Sequence, residues 1–124
     1  MEGKPVLKTI YVVDDSDTNL AMAEEALEDN FRVMTLPSAL KMFVLLEKIT
    51  PDLILLDIEM PGMNGFDALE RLKTDAEWSK IPVIFLTGTN DASIEEKSKQ
   101  LGAAGLITKP FVPSVLLNTV NMHI

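Results

Sequence analysis

Three aspartates, a threonine and a lysine stand where short apolar runs end. Asp14 and Asp15 follow residues 9–13, Asp57 follows 53–56, Thr87 follows 83–86, and Lys109 follows 106–108. Carboxylates brought within a few ångströms of each other repel and raise one another's pKa unless a cation sits between them. Oxygen donors with no His or Cys beside them suit a hard ion. Mg²⁺ is the natural choice, since it takes few protein ligands and keeps its waters for a phosphate. Lys109 would then supply positive charge to a second, anionic group, and Thr87 a hydroxyl donor. Together these parts describe a phosphoryl-transfer site in which one aspartate could serve as nucleophile.

The elements that must gather these residues are visible as alternating patterns. Five β-type runs, at 9–13, 32–36, 53–56, 83–86 and 106–108, are mostly unbroken Val, Ile and Leu, as in strands buried on both faces. Between them apolar residues recur at helical spacing: Leu20, Ala23 and Leu27; Met42, Leu45, Leu46 and Ile49; Phe66, Leu69 and Leu72. Prolines 37, 51, 61, 82, 110 and 113 fall between elements, and Gly102 fits a helix end. The window 90–102 is polar apart from Ile94 and Leu101, so it is expected to be the least buried and most mobile helix.

Alternating strands and helices predict an α/β fold, a doubly wound five-stranded parallel sheet with helices on both faces, in the flavodoxin-like order 2-1-3-4-5. A (β/α)₈ barrel would need about twice the chain. In that order strands 1, 3, 4 and 5 are adjacent, and their terminal polar residues collect at the carboxyl edge, where open α/β sheets bind ligands.

Composition sets the outer limits. A chain of 124 residues supports one domain with a real core, and the absence of cysteine excludes disulfides and a cysteine-ligated zinc. With 11 Lys and Arg against 19 Asp and Glu, the net charge of −8 disfavours nucleic acid and anionic lipid as direct partners. No targeting signal is visible and the apolar runs fall far short of the ~20 residues that span a bilayer, so a cytoplasmic location is expected.

The motifs Val12-Val13-Asp14-Asp15, residues 55–61 (LLDIEMP) with Gly65 following, residues 82–88 (PVIFLTG), Gly102-Ala103-Ala104-Gly105 and Lys109-Pro110-Phe111 occur in this order. With them the chain resembles the receiver domain of bacterial two-component response regulators, from about residue 8 to 124. The resemblance implies a single receiver domain over 8–124, with 1–7 as a lead-in. It also implies a phosphorylation-dependent switch of a phosphorelay: Asp57 accepts a phosphoryl group, assisted by Mg²⁺, from a histidine on a partner histidine kinase or phosphotransfer protein. Such a domain assists its own phosphorylation and dephosphorylation and is not an enzyme acting on a separate substrate. Carried over by residue, Asp15 and Asp57 would bind Mg²⁺ through side chains, Glu59 through its backbone carbonyl, and Asp14 through a water. Lys109 would pair with phosphoryl oxygens, Thr87 would move toward them, and the Lys109-Pro110 bond would be cis. One position departs from the pattern: Leu106 stands where many receivers carry Tyr or Phe. Weaker coupling of Thr87 to the outer face, or a route through backbone shifts, is therefore expected.

Other readings of the same residues fare worse. Residues 15–19 imitate an EF-hand start, but Leu20 replaces the required glycine and Ala26 the bidentate Glu. A haloacid-dehalogenase-type phosphatase would use Asp15 as nucleophile but leaves Asp57 without a role. A flavodoxin-like cofactor module needs N–H donors after the first strand, where Asp14 and Asp15 repel anions. A pseudo-receiver that is never phosphorylated is the remaining alternative. His123, the only histidine, is expected to be exposed, and Trp78 to pack on the sheet edge. In the last helix Leu116, Leu117, Val120 and Ile124 form a core stripe. Val115 and Met122, with Val112, form a candidate dimer or partner surface. The 88–124 face is the expected contact for an effector domain or downstream protein. No effector segment follows Ile124, so either a single-domain regulator or a receiver cut from a longer chain is expected.

Overall fold

The computed structural model describes residues 6–89 and 91–124. Residues 1–5 of the expected lead-in lie outside them, and Val6 and Leu7 are exposed. The elements run β1 (Thr9–Val13), α1 (Asp17–Leu27), β2 (Arg32–Leu36), α2 (Ala39–Leu46), β3 (Leu53–Asp57), α3 (Gly65–Lys73), a 3₁₀ turn (Trp78–Lys80), β4 (Val83–Thr87), α4 (Ala92–Gln100), β5 (Gly105–Thr108) and α5 (Pro113–His123). All strand pairs are parallel and their order is β2-β1-β3-β4-β5, as the alternation predicts.

Strands β1, β3 and β4 are buried along their whole length, which is why their sequences show no polar alternation. Successive side chains point to opposite faces and build two cores. Tyr11, Val13, Ile54, Leu56 and Phe85 pack with Met42 and Phe43 of α2 and Phe66, Leu69 and Leu72 of α3. Ile10, Val12, Leu55, Ile84 and Leu86 pack with Leu20, Ala23 and Leu27 of α1 and Leu116 and Val120 of α5. The core stripes read from the sequence therefore sit where expected, although α2 ends at Leu46 and leaves Ile49 in the following turn.

Helix starts are set by side-chain caps that take up otherwise unpaired N–H groups. Ser16, Ser38, Asn64 and Asp91 each accept from a backbone N–H in the first turn of α1, α2, α3 and α4. Pro113 opens α5, where its missing N–H costs nothing. At the end of α4, Gly102 has φ +90°, with Ala103 N–H bonded to Ser98 O at 3.0 Å and Gly102 N–H to Lys99 O at 3.0 Å. This is a Schellman closure.

Helix α4 buries only Ser98, fewer residues than any other α-helix. Two expectations are corrected. Trp78 packs against Phe43 of α2, with ring centroids 5.7 Å apart, because its side chain joins the core on the α2–α3 face instead of lying on the sheet edge. His123 is half-buried, its Nδ1 2.9 Å from Thr119 O, because the last turn of α5 closes over Gly105 of β5. Val112, Val115 and Met122 are exposed.

Candidate functional site

Asp14 continues β1 by one residue, its N–H donating to Leu36 O of β2 at 3.1 Å. Its carboxylate is fully buried and well supplied with donors. Ser16 N–H donates to Oδ1 at 2.9 Å, and the Asn19 amide and the Lys109 ammonium each donate to Oδ2 at 3.3 Å. Asp57, the last residue of β3, is 1% exposed. Both of its described partners bond Oδ1: Lys109 Nζ at 3.1 Å and the Glu59 N–H at 3.3 Å. Asp15 is exposed, yet one oxygen from each of Asp14, Asp15 and Asp57 lies within 4.8 Å of the others. This all-oxygen cluster could hold a metal ion, and its chemistry fits a hard divalent cation.

Strand order accounts for the convergence. Adjacent β1 and β3 deliver the aspartates, and β5, beyond β4, delivers Lys109 across the edge, its N–H bonded to Thr87 O. The Lys109-Pro110 bond is cis. The Glu59 side chain is exposed. Thr87 ends β4 and is buried, but its hydroxyl is turned to its own strand's exit. It accepts from Thr89 N–H at 3.2 Å and donates to Thr89 O at 3.3 Å. The structure thus brings Asp14, Asp15, Asp57 and Lys109 together and leaves the Thr87 hydroxyl engaged elsewhere.

Burial pushes the Asp57 carboxyl up to about 6. The Lys109 hydrogen bond opposes this, and the neighbouring Asp14 charge adds to it. Burial alone would lower the Lys109 pKa, but the hydrogen bond and charge of Asp57, together with Asp14, outweigh it and raise it, so the ammonium stays charged.

Some supporting residues escaped the sequence reading. Ser16 and Asn19 orient Asp14, and the only signal was a Ser-x-x-Asn spacing that also reads as a plain helix cap. Gly65, which the sequence motif did include, is needed for approach: its N–H bonds Ile58 O at 2.8 Å, and a Cβ there would lie 2.8 Å from Ile58 Cα. Helix α3 can therefore start directly against the Asp57 backbone.

A five-stranded doubly wound sheet with an acid triplet and a lysine at its carboxyl edge defines a flavodoxin-like domain built around an acidic ligand crevice. The chain belongs to the response regulator receiver domain family, whose profile matches residues 10–121. It is 37% identical to PilH of Pseudomonas aeruginosa over 113 residues, 90% of this chain and 93% of PilH. A probable cyclic di-GMP phosphodiesterase of Vibrio cholerae is 34% identical over 116 residues, 94% of this chain but only 26% of that protein. The chemotaxis protein CheY4 of Vibrio cholerae superposes with a TM-score of 0.91 at 27% identity, over 96% of this chain and 100% of the CheY4 chain. The family, fold and acidic crevice fit a phosphorylation-dependent signalling switch of two-component systems, a family that works with histidine kinases or phosphotransfer proteins. Among the described residues no helix is long and apolar enough to cross a membrane.

Proposed function

We propose that residues 8–124 form one receiver domain in which Asp57 is the phosphoacceptor, and that the domain serves in the cytoplasm as a switch with no separate substrate to turn over. The supporting observation is the Lys109 ammonium, which bridges Asp14 and Asp57 at 3.3 and 3.1 Å in a buried acidic crevice. A carboxylate oxygen of Asp57 attacks the phosphorus of a phosphohistidine on a partner kinase or phosphotransfer protein. The new O–P bond forms as the P–N bond breaks, and the imidazole leaves with its electron pair and takes up a proton. The attacking atom is Oδ2, which neither described hydrogen bond to Asp57 uses.

Asp14, Asp15, Asp57 and the Glu59 carbonyl would hold Mg²⁺, which when bound neutralises the crowded carboxylates and the incoming phosphoryl oxygens. Lys109 pairs with a phosphoryl oxygen as its bond to Asp57 Oδ1 is given up, and Thr87 supplies a hydroxyl after leaving Thr89. Output runs through the 88–124 face to an effector domain or downstream protein. Val112, Val115 and Met122 offer a surface for a second copy. Asp15 as nucleophile is disfavoured because it is exposed and Lys109 pairs with the other two aspartates.

The test is incubation with Mg²⁺ and acetyl phosphate followed by intact-mass measurement. One phosphoryl adduct on the wild-type chain and none on Asp57→Asn is expected. An adduct that persists in Asp57→Asn, or none on the wild type despite Mg²⁺ binding, overturns the assignment.

A further inference from the structure

Helix α4 is held to the rest of the domain by little apolar burial, so what else fixes its place matters. The two lysines of its last turn are used differently. Lys99 pairs with Glu95 on the same helix, at 3.7 Å. Lys97 leaves the helix and sets its ammonium 4.7 Å from the centroid of the Phe66 ring in α3. That ring is in turn packed edge-on against Phe85, with centroids 5.3 Å apart and planes at 81°.

Phe66 is joined to both strands that carry the crevice, to β4 directly through Phe85 and to the end of β3 through its neighbour Gly65. It follows Gly65, whose N–H is tied to Ile58 O and where an added Cβ would meet the Asp57 carbonyl, so the start of α3 is held close to the end of β3. Phe85 lies two residues before Thr87 and is paired in register with Leu56, so the ring also feels the end of β4. A charge on α4 thus rests on an aromatic ring that packs on the Thr87 strand and follows the residue anchoring α3 beside the Asp57 backbone. On the β5 side, α4 meets the aliphatic Leu106 along a groove of about 320 Å³ shared with Ser98 and Ala103.

We infer that Lys97 and Phe66 form a latch that holds α4 in the arrangement seen here, with Thr87 turned to Thr89, and that charging the crevice releases it. The inference deepens the phosphoacceptor reading and rests on it for the trigger. The latch is closed while the Thr87 hydroxyl is engaged away from Asp57. Drawing Thr87 toward a phosphoryl group displaces the end of β4, shifts Phe85 and Phe66, and takes the ring from under the lysine. Reciprocity requires that removing the latch strengthen the equilibrium binding of a phosphoryl-like group in the crevice.

The experiment compares Lys97→Gln, Phe66→Leu and Lys97→Arg with the wild type. Hydrogen exchange of the α4 amides without phosphodonor is expected to quicken about two- to fivefold in Lys97→Gln and Phe66→Leu, the loss of one exposed cation–π contact, and to stay unchanged in Lys97→Arg. Strands β1 and β3 should keep their protection in all four proteins. Equilibrium binding of beryllofluoride with Mg²⁺, a stable mimic of the phosphoryl group, should tighten by a similar factor in Lys97→Gln and stay unchanged in Lys97→Arg. Unchanged α4 exchange in Lys97→Gln overturns the latch, and faster exchange with unchanged beryllofluoride affinity overturns its coupling to the crevice. A wild-type chain that takes no phosphoryl group overturns the trigger. In that event the exchange data still decide whether Lys97 holds α4.

Discussion

The Lys109 ammonium lies 3.1 Å from Asp57 Oδ1 across 52 residues of sequence, in a crevice where Asp57 is almost wholly buried. It offsets, without cancelling, the cost of holding Asp14 and Asp57 side by side: Asp57 still titrates near 6, well above an ordinary aspartate. The fold therefore stores a preference for a neutral or neutralised group at Asp57, which is what a bound cation supplies.

Asp57→Asn is expected to stabilise the metal-free protein at pH 7 by about 1–3 kcal/mol, read as a rise in thermal midpoint. The sign follows from the raised pKa. Between about pH 4 and 6 the folded carboxyl keeps a proton that the unfolded chain releases, so its contribution to stability falls as pH rises through that window and levels off above it. The stability gap between the variant and the wild type should open from pH 4 to 6 and then stay constant. A gap that is flat across that range would contradict the burial argument.

Lys109→Met keeps much of the stem but leaves the buried aspartates without their ammonium. A loss of about 1–3 kcal/mol in urea unfolding at pH 7 without metal is expected. The Asp57 carboxyl should titrate above its wild-type value of about 6, followed by its ¹³C shift, because Lys109 is what holds it down. Unmoved titration would show that the bridge is geometric only.

Mg²⁺ should stabilise the wild type by an amount that grows with the logarithm of its free concentration above Kd, about 2.7 kcal/mol at a hundredfold excess, read as a rise in thermal midpoint that EDTA reverses. Asp15→Asn is expected to melt like the metal-free wild type, since Asp15 is exposed, but to lose most of this Mg²⁺-dependent rise. An undiminished rise would remove Asp15 from the ligand set.

Gly65→Ala forces a methyl against backbone, with Ile58 Cα 2.8 Å away, and backbone cannot yield as a side chain would. A loss of about 1–3 kcal/mol is expected, with faster amide exchange at the start of α3. A neutral effect would mean that α3 can back away from Asp57 freely.

Much of this was legible in the order of residues. Unbroken Val, Ile and Leu in β1, β3 and β4 require cover on both faces, and the α1, α2 and α3 stripes supply it. Polar residues closing those runs mark one sheet edge because all the strands are parallel. These signals are local: they depend on the spacing of side chains along one element, and burial acts on each element separately.

What the tertiary structure alone decided is where a side chain turns once several choices are open. A lysine before a proline can point to water or inward; at Lys109 two buried carboxylates settle it. Thr87 closes its strand as the pattern requires, yet its hydroxyl is claimed by Thr89, two residues on. Trp78 goes to Phe43, His123 closes over Gly105, and Lys97 crosses to Phe66 while Lys99 stays on its own helix. The energies separating such rotamers come from neighbours far away in sequence. Chain order therefore determined the sheet and its acidic edge, while contacts between elements determined the charge state, the orientation and the coupling of the groups gathered there.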